Sequence, residues 1–235
     1  MSYNQTKNRI ITLGVIGTLF ILTTSIFVIR ALYFQDTHYR IGNVPPEMIN
    51  DLIPKDVPVS ALIPPAIRLY DPLRYGGATA TISIIEYGDY ECEYCKAMHA
   101  VIHDTVPTYR GTVRYVFRDL PVTDQHKNAL DAAVFARCAA QQNKFWPVYD
   151  ALMSGATLNE RTYQEIIKNV DLDKNGISNC RSNPQMTASI QQDVQEARAD
   201  GIKSVPLIFV GRTAYEGYMT VEELHNAIQS AISSL

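Results

Sequence analysis

The sequence predicts an α/β domain with a large helical insertion, preceded by a single membrane-spanning helix. Three observations predict it. β-branched and aromatic runs alternate with helical spacing in the order β-α-β, and again as β-β-α near the C-terminus. Between the two halves lie about 80 residues of helical spacing with little strand character. At the N-terminus, Ile10 to Ile29 is an unbroken run of twenty residues without a charge. As a helix rising about 1.5 Å per residue it spans roughly 30 Å, the hydrocarbon thickness of a bilayer.

Composition narrows the class. The 235 residues, 46% hydrophobic and 19% charged, suit one ordinary domain and exclude a wholly disordered chain. Four cysteines are too few for a small disulfide scaffold. A formal charge of −3 argues against a nucleic-acid binder. That charge is unevenly spread. Residues 1–35 hold Lys7, Arg9 and Arg30 and no acid, a charge of +3, so the remainder carries −6. Lys7 and Arg9 precede the apolar run, while Arg30 and Arg40 follow it, a weak positive-inside signal. Thr23 and Ser25 offer the small-x-small pattern of a cleaved signal peptide. Ile26, Phe27, Val28 and Ile29 continue the run beyond that point, and no cysteine is present to carry a lipid. The reading is an uncleaved signal-anchor: residues 1–9 cytoplasmic, 10–29 in the membrane, and the body on the extracytoplasmic side.

Residues 30–75 read as a tether. Pro45, Pro46, Pro54, Pro58, Pro64 and Pro65 fix φ and remove donors, so this stretch is expected to be extended. The domain follows over 76–235. Thr81–Tyr87 reads as a buried strand, broken by Gly88 and Asp89. A helix runs from near Cys92 to Thr105, ahead of Pro107. Thr112–Phe117 alternates as a second strand and stops at Asp119 and Pro121. The insertion, at about 122–200, carries helices over Lys127–Gln142, Phe145–Met153, Arg161–Val170 and Pro184–Asp200, with Gly201 as C-cap. Pro206–Val210 is a third strand, Gly211-Arg212 a turn, and Thr213–Tyr218 a fourth strand at the edge. Val221–Ile232 closes the chain as an amphipathic helix.

The chemistry centres on Cys92-Glu93-Tyr94-Cys95, which follows a strand and opens a helix. Cysteines at i and i+3 of a first helical turn lie close enough to form a disulfide. The first sits where free N–H groups and the helix dipole favour a thiolate, which makes Cys92 the nucleophile. Other readings are half a zinc site, an inert structural disulfide and two buried thiols. His99 and His103 extend the stripe, but Cys92 and His103 are about 16 Å apart along a helix, too far for one ion. The strand–turn–helix context favours redox chemistry and no metal.

The segment Glu86-Tyr87-Gly88-Asp89-Tyr90-Glu91-Cys92-Glu93-Tyr94-Cys95 resembles the active-site signature of DsbA-like thiol:disulfide oxidoreductases, which have a thioredoxin fold. The resemblance covers roughly 68–234. It includes Asp71-Pro72, Phe117-Arg118-Asp119-Leu120-Pro121, Lys144-Phe145-Trp146 and Ser204-Val205-Pro206. The helical block matches the insertion of this branch, which plain thioredoxins lack. The resemblance implies a cis-proline at Pro206 facing the disulfide. It also implies a Val205 backbone free to pair with an extended substrate, with Tyr94 as a further substrate contact. Glu86 matches a buried acid that relays a proton to Cys95. No cofactor is implied.

One inner position departs from the family pattern: Glu93 stands where proline is common. Asp89, Glu91 and Glu93 surround Cys92 against Lys96, and like charge disfavours a thiolate, so a weaker oxidant is expected. Cys138 and Cys180 are either a second disulfide or two separate buried thiols; an even count in an oxidising compartment favours the bond. The leading function is an oxidase that passes the Cys92–Cys95 disulfide to reduced extracytoplasmic proteins. The resemblance suggests reoxidation by a quinone-coupled membrane enzyme of DsbB or VKOR type. A reductase or isomerase is the alternative, although the tether does not resemble a dimerisation domain. So is a non-catalytic copper-binding module, since Cu(I) favours thiolates.

Overall fold

The computed structural model describes residues 61–235. A five-stranded sheet lies at its centre, in the order β1-β3-β2-β4-β5. The strands are β1 (Leu73–Tyr75), β2 (Ile82–Gly88), β3 (Val113–Asp119), β4 (Leu207–Val210) and β5 (Thr213–Glu216). β2 and β3 run parallel and are joined through α1 (Glu93–Thr105); every other neighbouring pair is antiparallel. The insertion holds α2 (Ala129–Ala140), α3 (Phe145–Met153), α4 (Glu160–Val170), α5 (Lys174–Arg181) and α6 (Pro184–Ala199). α7 (Val221–Ser233) ends the chain and starts with a capping box between Thr220 and Glu223.

Strand alternation divides the core between the two faces of the sheet. Ile82, Ile84, Tyr115, Phe117, Ile208 and Val210 face α1, α7 and the insertion. Ile85, Tyr87, Val116, Leu207 and Phe209 face the other way, against Ala197, Ile202 and the N-terminal segment at Leu62, Ile67 and Leu73. β2 is buried on both faces, as the continuous run Ile82-Ser83-Ile84-Ile85 suggested.

The tether expected over 30–75 ends earlier than the sequence indicated. Leu73–Tyr75 is a sheet strand, paired antiparallel with β3. Polar contacts fix the residues before it. Arg118 donates to the Ala66 carbonyl at 2.6 Å and pairs with Asp71 at 2.6 Å, while Arg68 pairs with Asp193 at 2.5 Å. Trp146 Nε1 donates to the Leu73 carbonyl at 2.9 Å. A segment held by long-range polar contacts leaves no apolar periodicity to read. α5 was missed for a similar reason: it buries only Ile177. Asp173, whose carboxylate accepts from the N–H groups of Asn175 and Gly176, marks its start.

Among the described residues no helix is long and apolar enough to cross a membrane. The anchor expected at 10–29 and the tether up to residue 60 lie outside the described residues.

Candidate active site: a dithiol at a helix N-terminus

Cys92 is the N-cap of α1, with φ −74° and ψ 120°, and its Sγ accepts the Cys95 N–H at 3.2 Å. The cap role usually taken by serine, threonine or aspartate oxygen is here taken by sulfur. Both thiols are reduced; Cys95 is fully buried and Cys92 is 5% exposed. The Cys92 thiol is shifted down from its ordinary value. The largest cause is the hydrogen bond from the Cys95 thiol. Burial opposes it, the Cys95 N–H supports it, and Asp89 pushes the other way. Burial, then the neighbouring Cys92 and Glu86, holds Cys95 well above the usual range. The two thiols are thus inequivalent: Cys92 is inclined toward the thiolate and Cys95 is held as a thiol.

Of the three acids around Cys92, Asp89 bears on the thiolate. Glu93 points outward and pairs with Lys96 at 2.7 Å. The Glu91 carboxylate accepts from the Asn128 N–H and side-chain amide, at 2.7 and 2.9 Å.

The Val205–Pro206 peptide bond is cis, and the Cys92 Sγ lies 4.0 Å from the Val205 carbonyl oxygen. β4 begins at the next residue and pairs with β2, Leu207 opposite Tyr87, so the loop lies beside the end of β2 that leads to the dithiol. Ser204 donates to Glu216, and the Gly217 N–H donates to the Pro206 carbonyl at 2.8 Å, which tie this loop to β5. Tyr94 is half-buried and packs on the core beside the dithiol.

Glu86 is fully buried within β2. Its Oε2 accepts from Tyr115 Oη at 2.6 Å, and Tyr115 Oη lies 2.7 Å from Tyr149 Oη on α3. The second carboxyl oxygen, Oε1, is buried without a partner. Burial raises this carboxyl to about 8, although the Tyr115 hydrogen bond draws it down. A carboxyl poised there exchanges a proton near neutral pH.

Sequence reading missed Tyr115, Tyr149 and His126. Tyr115 lies at an inward position of β3, which alternation reveals, but its hydroxyl partner cannot be read from alternation. His126 is in the loop after β3, and its Nδ1 lies 2.9 Å from Asp89 Oδ2; no local pattern connects positions that far apart. His99 turns to Asp150 at 3.1 Å and His103 to Asp104 at 3.6 Å, so the stripe that follows Cys95 does not converge on the sulfurs. Among the described residues no three His, Cys, Asp or Glu side chains form a metal cage. Cys138 and Cys180 form a disulfide that ties α2 to α5, with Cα atoms 5.7 Å apart.

A dithiol on the first turn of a β-α-β helix, facing a cis-proline loop, defines a thioredoxin-fold dithiol protein. The chain belongs to the thioredoxin family: the family model described as Thioredoxin matches residues 70–230. Its fold, with the helical insertion, is that of the DsbA-like branch. A thioredoxin-like oxidoreductase from Silicibacter pomeroyi DSS-3 superposes with a TM-score of 0.62 at 26% identity, covering 72% of this chain and 95% of that one. The thiol-disulfide exchange protein alpha-DsbA2 from Wolbachia pipientis gives 0.61 at 20%, covering 69% and 87%, a likeness of fold. By sequence, a Na(+)/H(+) antiporter NhaA 3 from Salinispora tropica is 31% identical over 160 residues, 68% of this chain but 24% of that protein. An antiporter NhaA 1 from Salinispora arenicola is 29% identical over 159 residues, 67% of this chain and 24% of that protein. The chain thus spans about a quarter of the length of these curated relatives.

Proposed function

We propose that this chain is a membrane-anchored, extracytoplasmic thiol:disulfide oxidase. The observation that supports it most is the pairing of an accessible-side thiol of lowered pKa with a buried thiol of raised pKa, next to the Val205 carbonyl. In the oxidised protein, a substrate thiolate attacks Cys92 Sγ. The Cys92–Cys95 bond breaks, its electron pair goes to Cys95 Sγ, and the Glu86 carboxyl supplies the proton that Cys95 takes. A substrate–Cys92 mixed disulfide results, with the extended substrate paired along Val205 beside Pro206 and packed near Tyr94. A second substrate thiolate attacks the substrate sulfur, forms the product disulfide and releases Cys92 as a thiolate. The dithiol is reoxidised by a quinone-coupled membrane enzyme of DsbB or VKOR type.

Residues 10–29 supply the membrane anchor in this reading, and the −6 body faces the reduced proteins of the extracytoplasmic side. Asp89 beside Cys92 disfavours the thiolate, so the disulfide is a milder oxidant than one without that acid. The test is oxidation of a reduced, unfolded cysteine-containing protein by wild type and by Cys92→Ser. The variant should be inactive, and equal rates would remove the oxidase reading. The reduction potential of Cys92–Cys95 orders oxidase against reductase: a value near that of thioredoxin would overturn the direction proposed.

A further inference from the structure

The loop between β3 and α2 places a histidine on Asp89, an acid that acts against the Cys92 thiolate. Asp89 is 1% exposed and fully engaged. Its Oδ1 accepts the Glu91 N–H at 2.7 Å, and its Oδ2 accepts the Val122 N–H at 2.8 Å and faces His126 Nδ1 at 2.9 Å. Its own carbonyl accepts the Cys92 N–H at 3.3 Å. One buried carboxylate thus joins the turn that presents Cys92 to the loop that carries His126. The imidazole is 24% exposed, so it exchanges protons with solvent while its inner nitrogen is held. The Cys92-Glu93-Tyr94-Cys95 motif contains no cationic residue.

We propose that His126 is a positioning residue for the nucleophile: its imidazolium offsets the Asp89 charge and thereby favours the Cys92 thiolate. The inference rests on the dithiol reading above but not on the direction of exchange. The charges around the pair agree with it. Burial works against a charged His126, but the hydrogen bond and charge of Asp89 outweigh it, with Cys92 and Glu91 adding, so its pKa is raised. Asp124 and Lys127 flank it on its own loop. Cys92 in turn faces Cys95 and Asp89, with Glu86 beneath the sulfurs. Coupling between two sites is reciprocal, so the thiolate must favour the imidazolium as much as the imidazolium favours the thiolate.

The experiment reads ionisation rather than turnover, so it stands whether or not the oxidase reading does. The Cys92 thiolate is titrated by ultraviolet absorbance in the reduced chain, in wild type, His126→Gln, Asp89→Asn and the double variant. Gln keeps a donor for Asp89 but carries no charge. His126→Gln should raise the Cys92 midpoint by about one pH unit. In the Asp89→Asn background the same change should have little effect. Independently, the His126 ring titration is followed by NMR in the reduced and the disulfide forms of the wild type. Its midpoint should fall on oxidation by about the same amount. An unchanged Cys92 midpoint in His126→Gln, an equal shift in the Asp89→Asn background, or a His126 midpoint indifferent to redox state would each overturn the proposal.

Discussion

Glu86→Gln should make stability less dependent on pH, and the two stability curves should cross. Glu86 is fully buried and its carboxyl is raised from 4.5 to about 8, chiefly by burial. In the unfolded chain the carboxyl ionises near its ordinary value. Between about pH 4.5 and 8 the folded state therefore holds a proton that the unfolded state has lost. Stability falls with rising pH through that window and stays lower above it. At 1.36 kcal/mol per unit the full cost is roughly 3–5 kcal/mol. Glutamine removes this titration. Its carbonyl can still accept from Tyr115, but its amide puts two N–H donors where the neutral acid has one O–H on the unpartnered Oε1, so one more buried donor goes unpaired, a cost of about 1–3 kcal/mol. The variant should thus be less stable than wild type at about pH 4.5 and more stable at about pH 9. The assay is urea denaturation across this range on the oxidised proteins, in which neither active-site thiol titrates. A stability difference that did not change with pH would show that Glu86 titrates alike in both states, and the argument from burial would fail.

Three further outcomes follow from other parts of the structure. Tyr115→Phe removes the donor to Glu86 Oε2 and leaves both carboxyl oxygens unpartnered; it should destabilise by about 1–3 kcal/mol and move the pH midpoint of mixed-disulfide formation upward. A midpoint that stayed in place would separate Tyr115 from the proton path. The Cys138–Cys180 bond spans 42 positions; its loop-closure entropy is worth about 4 kcal/mol, so Cys138→Ser/Cys180→Ser should lose stability on that order in chemical denaturation. Arg118→Ala strands Asp71, a pair whose side chains are 6% and 4% exposed; it should cost about 3–5 kcal/mol, and adding Asp71→Asn should recover part of that loss. No recovery in the double variant would mean that the contacts to the Ala66 carbonyl and the Tyr87 hydroxyl, not the ion pair, carry the effect.

What the sequence disclosed follows the range of the interactions involved. β2, α1, β3, α3 and α7 announce themselves because apolar spacing, caps and breakers act over a few residues. Phe145–Met153 has the bounds expected from spacing alone. The dithiol was legible because a strand, a turn and Cys-x-x-Cys are contiguous. β1 was not legible: three half-buried residues after a proline-rich stretch owe their place to β3, Asp150 and Trp146. The charge around Cys92 was legible in kind but not in weight. Three acids stand near it in sequence, yet Glu93 turns to Lys96 and Glu91 to Asn128, which leaves Asp89. Counting charges along a chain cannot separate a solvated carboxylate from a buried one.

The helical insertion acts on the chemistry by excluding water. α3 lays Tyr149 and Trp146 against Tyr115, with ring centroids 6.3 and 5.4 Å away, and Tyr149 also meets Phe117 at 4.7 Å and Tyr90 at 6.1 Å. Tyr149 is fully buried and its hydroxyl closes the chain Glu86–Tyr115–Tyr149 on the side of the insertion. Burial is the leading cause of the upward shift at Glu86, Cys95, Tyr115 and Tyr149. A sheet with only α1 and α7 on that face would leave Glu86 with more solvent around it, and its carboxyl would return toward the ordinary range. In the mechanism proposed above, the proton that Cys95 takes would thus be held by a carboxyl whose burial depends on aromatic packing from α3. Tyr90, Tyr115, Phe117, Trp146 and Tyr149, scattered in sequence, converge there and favour the neutral form of the Glu86 carboxyl.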